Sequence, residues 1–340
     1  MLSFPKPSDP KRAKRAPVLP KPTQDPVRPA VTPKDLSRLM PSQVTVRAPG
    51  KVNLSLRVGG LDNQGYHPLI NVFQAVSAWE EVTATPRANN TISLSVQGPG
   101  ARFVPLNETN LVAKAARALQ HFTGTDLGAN LAVTKGVPVA GGMAGGSADA
   151  AATLVALNAM WRLGLSTPEL LEIGATLGAD VPFCLFGGTA VGLGHGEQLT
   201  AVATSGQFHW VFALRAKGLS TPSVFGCFDT LHPGGKPLDD GANAGLYAAL
   251  ASGDANALAT FLHNDLHEAA LAMAPDLQRT MDAALEAGGL RAMVSGSGPT
   301  LAVLCDSETS AQRIKQELLA KGVCADALVA SGAVRGAHIV

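Results

Sequence analysis

The sequence predicts an α+β chain of two packed units. Strand-like and helix-like segments alternate along its 340 residues, many of the connections between them are as short as hairpins, and the length suits two ordinary domains. Hydrophobic residues make up 46% and charged residues 16%, which supplies buried cores and excludes disorder throughout. Glycine is abundant at 36 residues and aromatics amount to only 5%, a balance that favours close backbone packing and glycine-built loops. A formal net charge of +1 argues against a global nucleic-acid or membrane field.

That average hides an asymmetry. Residues 1–43 hold nine Lys/Arg against three Asp/Glu and ten of the 23 prolines, including a basic run from Lys11 to Arg15. Such a stretch forms neither helix nor ladder, so it reads as a disordered basic tail. The readings open for it are a solvated extension, a misassigned start ahead of Met40, or an arm for an acidic partner or nucleic acid. It lacks the apolar region of a secretory signal, and no stretch approaches the roughly 18–20 apolar residues of a membrane span. A cytoplasmic protein without membrane or nucleic-acid partners is expected. The four cysteines (Cys184, Cys227, Cys305 and Cys324) form no CxxC pair and read as reduced thiols, with Cys184 a small buried hydrophobe.

Past the tail, Val44–Val46 and Val52–Val58 alternate as strands do, with Ala48-Pro49-Gly50-Lys51 between them. Further strands are predicted at Val82–Thr85, Ile92–Val96 and Leu131–Thr134. A helix fits Asn110 to Phe122, with Leu111, Ala115, Leu119 and Phe122 on one stripe. A second, rich in alanine, runs from about Ser147 to Leu163. A third is punctuated by a Ser166/Glu169 capping box, Pro168 in the first turn and Gly178 as a stop. The second half opens with a strand at His209–Leu214 and a Pro/Gly-rich loop from Ser220 to Pro237. Helices are expected near 243–252, 254–271 and 275–287, then strands at Arg291–Val294 and Thr300–Leu304 around a Gly-Ser-Gly turn. A helix from about Glu308 to Lys321 and a strand at Ala327–Ala330 complete the chain. The boundary between units is placed near residue 205, and no internal repeat is evident.

Residues 138–149 carry the chemistry: Pro138, Val139, Ala140, Gly141, Gly142, Met143, Ala144, Gly145, Gly146, Ser147, Ala148 and Asp149 follow a strand and open a helix. Little Cβ bulk, converging N–H groups and a helix N-terminus are what anion binding requires. The loop is neither GxxxxGK[ST] nor GxGxxG, so neither of those folds is implied. Lys51 and Asn53 stand near the first strands, Asp180 follows a helix stop, and Val294 to Thr300 supplies a second small-residue turn. A phosphate cradle, a cation and a carboxylate are the parts of phosphoryl transfer.

These three stretches, in this order over roughly residues 44–335, resemble the GHMP kinases: Pro49-Gly50-Lys51, the Pro138–Ser147 loop and the Gly296-Ser297-Gly298 turn. The resemblance implies an N-terminal domain like ribosomal protein S5 over 44–205 that binds ATP, and a ferredoxin-like domain over 206–340. It implies Asp180 as general base, with Lys51 orienting that carboxylate. Pro138 to Ala148 would bind the ATP phosphates, and magnesium would be held mainly by phosphates and water, with Ser147 a candidate protein ligand. Gly65-Tyr66-His67, Leu177 to Phe183 and Ser220-Thr221-Pro222 resemble members acting on the 2-hydroxyl of a cytidine-bearing methylerythritol in non-mevalonate isoprenoid synthesis. Tyr66 and Phe225 would then sandwich the cytosine, His67 would hydrogen-bond its edge, and Asn53 and Thr221 would touch the substrate further along.

Homoserine, mevalonate or a sugar as acceptor, or a non-catalytic nucleotide-binding regulator, are the alternative readings; monomer and homodimer stay open. Ala140, Ala144 and Ala148 stand where relatives often show Gly or Ser, and the first motif reads Ala-Pro-Gly-Lys rather than Pro-Ala-Lys. His263 and His267 lie four apart, as two ligands on a helix would, but no third ligand accompanies them, so packing roles are expected.

Overall fold

The computed structural model of the chain describes residues 40–340 except Gln64 and His195, so of the tail assigned to 1–43 residues 1–39 lie outside the described residues. Met40, placed within the tail, packs against the N-terminal core.

The opening strands are one. β1 (Val44–Val58) runs antiparallel to β2 (Leu69–Arg87), with the register shifting between Pro49 and Gly50. The Pro-Gly pair between them is therefore a bulge inside one strand: Pro49 has no N–H to give a ladder, and the irregularity spares it one. A Cβ on Gly50 would stand 3.2 Å from the Met143 carbonyl, so the absent side chain lets the glycine loop approach the strand. Only residues 82–85 of β2 are legible in sequence. Its first half is buried on both faces and so carries no alternation to read.

The other N-terminal elements are β3 (Ile92–Gln97), α1 (Leu111–Thr123), β4 (Gly128–Thr134), α2 (Gly145–Met160), α3 (Thr167–Leu177), α4 (Val181–Phe186), β5 (Thr189–Leu193) and β6 (Gln198–Ala201). Asn110 caps α1 by accepting the Val112 N–H at 2.8 Å, and Glu169 accepts the Ser166 N–H at 2.7 Å in the α3 capping box. α2 is buried nearly all round, and its alanines let it lie close against β1, β2 and α1. The short elements α4, β5 and β6 are not apparent in the sequence.

The C-terminal half contains β7 (Phe208–Leu214), α5 (Thr221–Leu231), α6 (Ala244–Ser252), α7 (Ala255–Phe261), β8 (His263–Asn264), α8 (His267–Met273), α9 (Asp276–Glu286), β9 (Arg291–Val294), β10 (Leu301–Cys305), α10 (Glu308–Ala320), β11 (Asp326–Gly332) and β12 (His338–Ile339). Two expectations are corrected here. The presumed loop after Ser220 contains α5, whose Pro222 sits at the helix start where a missing N–H does no harm. The single helix expected over 254–271 is two, because residues 263–264 leave the helix to pair with β1 in parallel.

The described strands form one continuous sheet with the path β12-β1-β2-β11-β7-β10-β9, and β3 to β6 and β8 attach beside it. Apolar clusters lie under α1–α3 and against α9 and α10, and a third joins Val52 and Leu54 of β1 to Trp210 and Phe212 of β7. β1 thus meets both halves, and it is the strand that carries Lys51. Among the described residues no helix is long and apolar enough to cross a membrane.

Candidate active site

Just past the bulge, the Lys51 N–H donates to the Met143 carbonyl at 3.1 Å and ties β1 to the glycine loop. Its side chain is buried. Nζ donates to Asn53 Oδ1 at 2.7 Å, and Asn53 Nδ2 donates to Asn71 Oδ1 at 2.9 Å. Asp180 occupies the position before α4, where Gly178 has ended α3, and its Oδ2 stands 3.9 Å from Lys51 Nζ. The Asp180 side chain is 34% exposed, so one face of the pair is open to an incoming group. Beneath it, fully buried Cys184 has its thiol held well above the usual range by burial first and by the Asp180 charge second.

The glycine loop bridges β4 and the start of α2. Ala140 and Ala144 take φ of 55° and 62°, the left-handed region, which explains why glycine suits these positions and marks local strain in this chain. Met143 and Ala148 are fully buried, and the Met143 carbonyl is taken by the Lys51 N–H. Gly146 is exposed beside a cleft of about 280 Å³ lined also by Phe103, Asn110, Lys135, Val139 and Asp149. The N-terminus of a sixteen-residue helix and an open glycine beside a cleft fit the phosphates of a nucleotide. The Ser147 hydroxyl, half-exposed in the first turn of α2, is a hard oxygen donor of the type magnesium takes. Among the described residues no cluster of three or more His, Cys, Asp or Glu could hold a metal by itself.

The Ser295–Gly298 turn packs against both. Ser295 Oγ donates to the Gly142 carbonyl at 3.4 Å, and a Cβ on Gly296 would lie 3.3 Å from Lys51 Nζ. Ser297 Oγ shares a 2.9 Å hydrogen bond with Thr221 Oγ1 at the start of α5. Further along α5, the Phe225 ring stacks on His67 with centroids 5.1 Å apart. Both ring nitrogens of His67 are occupied, Nδ1 by the Gly59 carbonyl at 2.7 Å and Nε2 by Asp229 Oδ1 at 3.3 Å. Tyr66, beside it, is 61% exposed. The fold therefore gathers Lys51, Asn53, Asp180, the glycine loop and Thr221 around one turn, and brings Phe225 to His67.

Sequence reasoning missed a second charged cluster. Lys135 Nζ meets Glu80 Oε1 at 2.6 Å and hydrogen-bonds Asp149 Oδ2, and all three side chains are buried. Glu80 Oε2 accepts the Gly136 N–H at 3.1 Å, so the cluster fastens the two ends of the glycine loop to β2. Burial first, then the Asp149 charge, push the Glu80 carboxyl up to about 8 despite Lys135, and burial raises Asp149 to about 6. The available signal is that Lys135 and Asp149 flank the loop directly. Glu80 gives none, since it lies within a strand beside Glu81. The two histidines singled out above are bound to protein groups: His263 Nε2 to Asp265 Oδ1 at 3.0 Å, and His267 Nδ1, which accepts the Val294 N–H at 3.2 Å.

Comparison with known proteins gives the family. The pattern described as GHMP kinases N terminal domain matches residues 110–188, and that described as GHMP kinases C terminal matches 246–324. The chain belongs to the GHMP kinase family, with the two-domain α+β fold of that family. It is 51% identical over 302 residues to a 4-diphosphocytidyl-2-C-methyl-D-erythritol kinase of Rhodococcus jostii, covering 89% of this chain and 96% of that one. It is 50% identical over 297 residues to the protein of that name from Streptomyces coelicolor, covering 87% and 99%. A crystal structure of 4-(cytidine 5'-diphospho)-2C-methyl-D-erythritol kinase superposes with a TM-score of 0.70 at 28% identity, over 84% of this chain and 98% of that one. A homoserine kinase from Cytophaga hutchinsonii also reaches 0.70, at 20% identity over 88% and 98%, a likeness of fold.

Proposed function

We propose that the chain is an ATP-dependent kinase that phosphorylates the 2-hydroxyl of 4-diphosphocytidyl-2-C-methyl-D-erythritol, a step in isoprenoid precursor synthesis. The observation that carries the site assignment is the Lys51–Asp180 pair, 3.9 Å apart, open on one face and bordered by the glycine loop and the Gly296 turn. In this reading the Asp180 carboxylate accepts the proton of the substrate hydroxyl as its oxygen bonds to the γ-phosphorus, and the bond from that phosphorus to the bridging oxygen breaks to leave ADP. The Lys51 ammonium, fixed by Asn53, orients Asp180 and offsets negative charge in the transition state. Loop amides and the start of α2 hold the phosphates. Ser147 would help hold magnesium beside the phosphates, and the ion would supply charge neutralisation when bound. The N-terminal unit, 44–205, takes the nucleotide, and 206–340 contributes Thr221, Phe225 and the Gly296 turn.

The occupied His67 ring sharpens one assignment. Its main-chain N–H and C=O enter no hydrogen bond among the described residues, and this donor–acceptor pair complements the N3 and amino edge of cytosine. The ring itself backs Phe225, so His67 reads the base through its backbone. Tyr66, exposed on the same loop, supplies the opposing face. A turnover assay over a panel of alcohols tests the substrate. Phosphorylation of the cytidyl compound, with no turnover of homoserine or mevalonate, is expected; the reverse pattern overturns the assignment.

A further inference from the structure

Asn264 lies outside the constellation described above, yet its NH₂ group reaches the turn at its edge. It is buried in β8, whose pairing with β1 sets Asn264 beside Leu56 in the register. Nδ2 donates to the Val294 carbonyl at 2.7 Å and to the Gly296 carbonyl at 2.8 Å, while Oδ1 accepts the Leu266 N–H at 2.9 Å. One side chain thus fastens the last carbonyl of β9 and the Gly296 carbonyl of the turn that borders Lys51. His267 holds the end of β9 as well, by accepting the Val294 N–H. Gly296 sits at φ 59°, and its missing side chain is what lets it lie against the ammonium: a Cβ there would come within 3.2 Å of Asn53 Oδ1 and 3.3 Å of Lys51 Nζ.

We propose that Asn264 is a positioning residue for phosphoryl transfer, holding the Gly296 turn against the Lys51 ammonium and so fixing where that ammonium stands relative to Asp180. The proposal rests on the assignment of Lys51 and Asp180 as the reacting pair. Charge stabilisation depends on placement, and an error of about 1 Å can cost on the order of 100-fold in rate. Two carbonyls anchored by one NH₂ group leave the turn little freedom to drift.

The test is a double-mutant cycle on kcat with Asn264→Asp and Lys51→Ala. Aspartate keeps the shape and the acceptor for Leu266 but faces both carbonyls with an oxygen. Asn264→Asp alone is expected to lower kcat about 10- to 100-fold. In the Lys51→Ala background it should change kcat by less than about 3-fold, since the ammonium it positions is gone. An equal loss in both backgrounds, or wild-type kcat for Asn264→Asp, overturns the proposal. If Asn264→Asp does not fold, Asn264→Ser replaces it: its hydroxyl can anchor one carbonyl, and a smaller loss, again confined to the Lys51 background, is expected. If Lys51→Ala by itself leaves turnover intact, the reading of the reacting pair fails, an outcome distinct from additivity.

Discussion

Two lysines of the N-terminal half face carboxylates in opposite surroundings. Lys135 is enclosed with Glu80 and Asp149 in contact on both sides, and Glu80 is itself closed off by the Gly136 amide and by Gly145. Lys51 is equally buried, but its carboxylate partner stands 3.9 Å away with a third of its side chain open. Lys135 holds both carboxylates at hydrogen-bonding distance and its side chain is spent on them; the looser pair keeps one carboxylate face open. The first cluster fastens the loop, and the second is the one that the proposed mechanism uses. Residue type does not separate them. Distance and access do.

The comparison predicts that the two lysines fail differently. Lys51→Ala should lower kcat by about 100- to 1,000-fold, the usual scale for losing one transition-state charge contact, while melting temperature moves little. A variant with normal kcat would erase the distinction. Lys135→Met should do the opposite, destabilising the fold by about 3–5 kcal/mol in denaturant titration, because two buried carboxyls lose the one cation paired with them among the described residues. A stable Lys135→Met protein would show the cluster to be dispensable.

A pH series sharpens the contrast. Glu80 keeps its proton up to about 8 in the fold against 4.5 as its ordinary value, so between those limits the folded chain binds more protons than the unfolded one. Stability should therefore fall as pH rises from about 5 to about 8, with Asp149 adding in the same direction up to about 6. Glu80→Gln should flatten that slope in thermal melts, and an unchanged slope would place the titration elsewhere. The smallest effect concerns the strained loop. Ala144→Gly should leave stability within about 1 kcal/mol of the parent, relief of the left-handed alanine offsetting the added chain entropy. A loss well beyond that would argue against strain at this position.

Much of the site was legible because its chemistry is local in sequence. The loop and its helix lie within a dozen residues, and Lys51, Asp180 and the Gly296 turn each sit in a short run of small residues. What hid was the assembly. Nothing near Glu80 marks it as the partner of Lys135, since the contact is made across β2 and β4 and from α2. Asn264 was lost inside a stretch read as one helix, because a two-residue strand is too short for periodicity to register. α5 went unread for a related reason: the Pro and Gly density of residues 232–237 masked the helix before it. β1 read as two strands because the Pro49 bulge interrupts the alternation that a strand shows in sequence.

The central claim is that Asp180 takes the proton while the loop holds the phosphates, two tasks on separate groups. Asp180→Asn removes the base and keeps the shape. Turnover of the cytidyl alcohol should fall by about 100- to 10,000-fold while calorimetric affinity for ATP stays within about 2-fold. Turnover at the wild-type rate in that variant would contradict it.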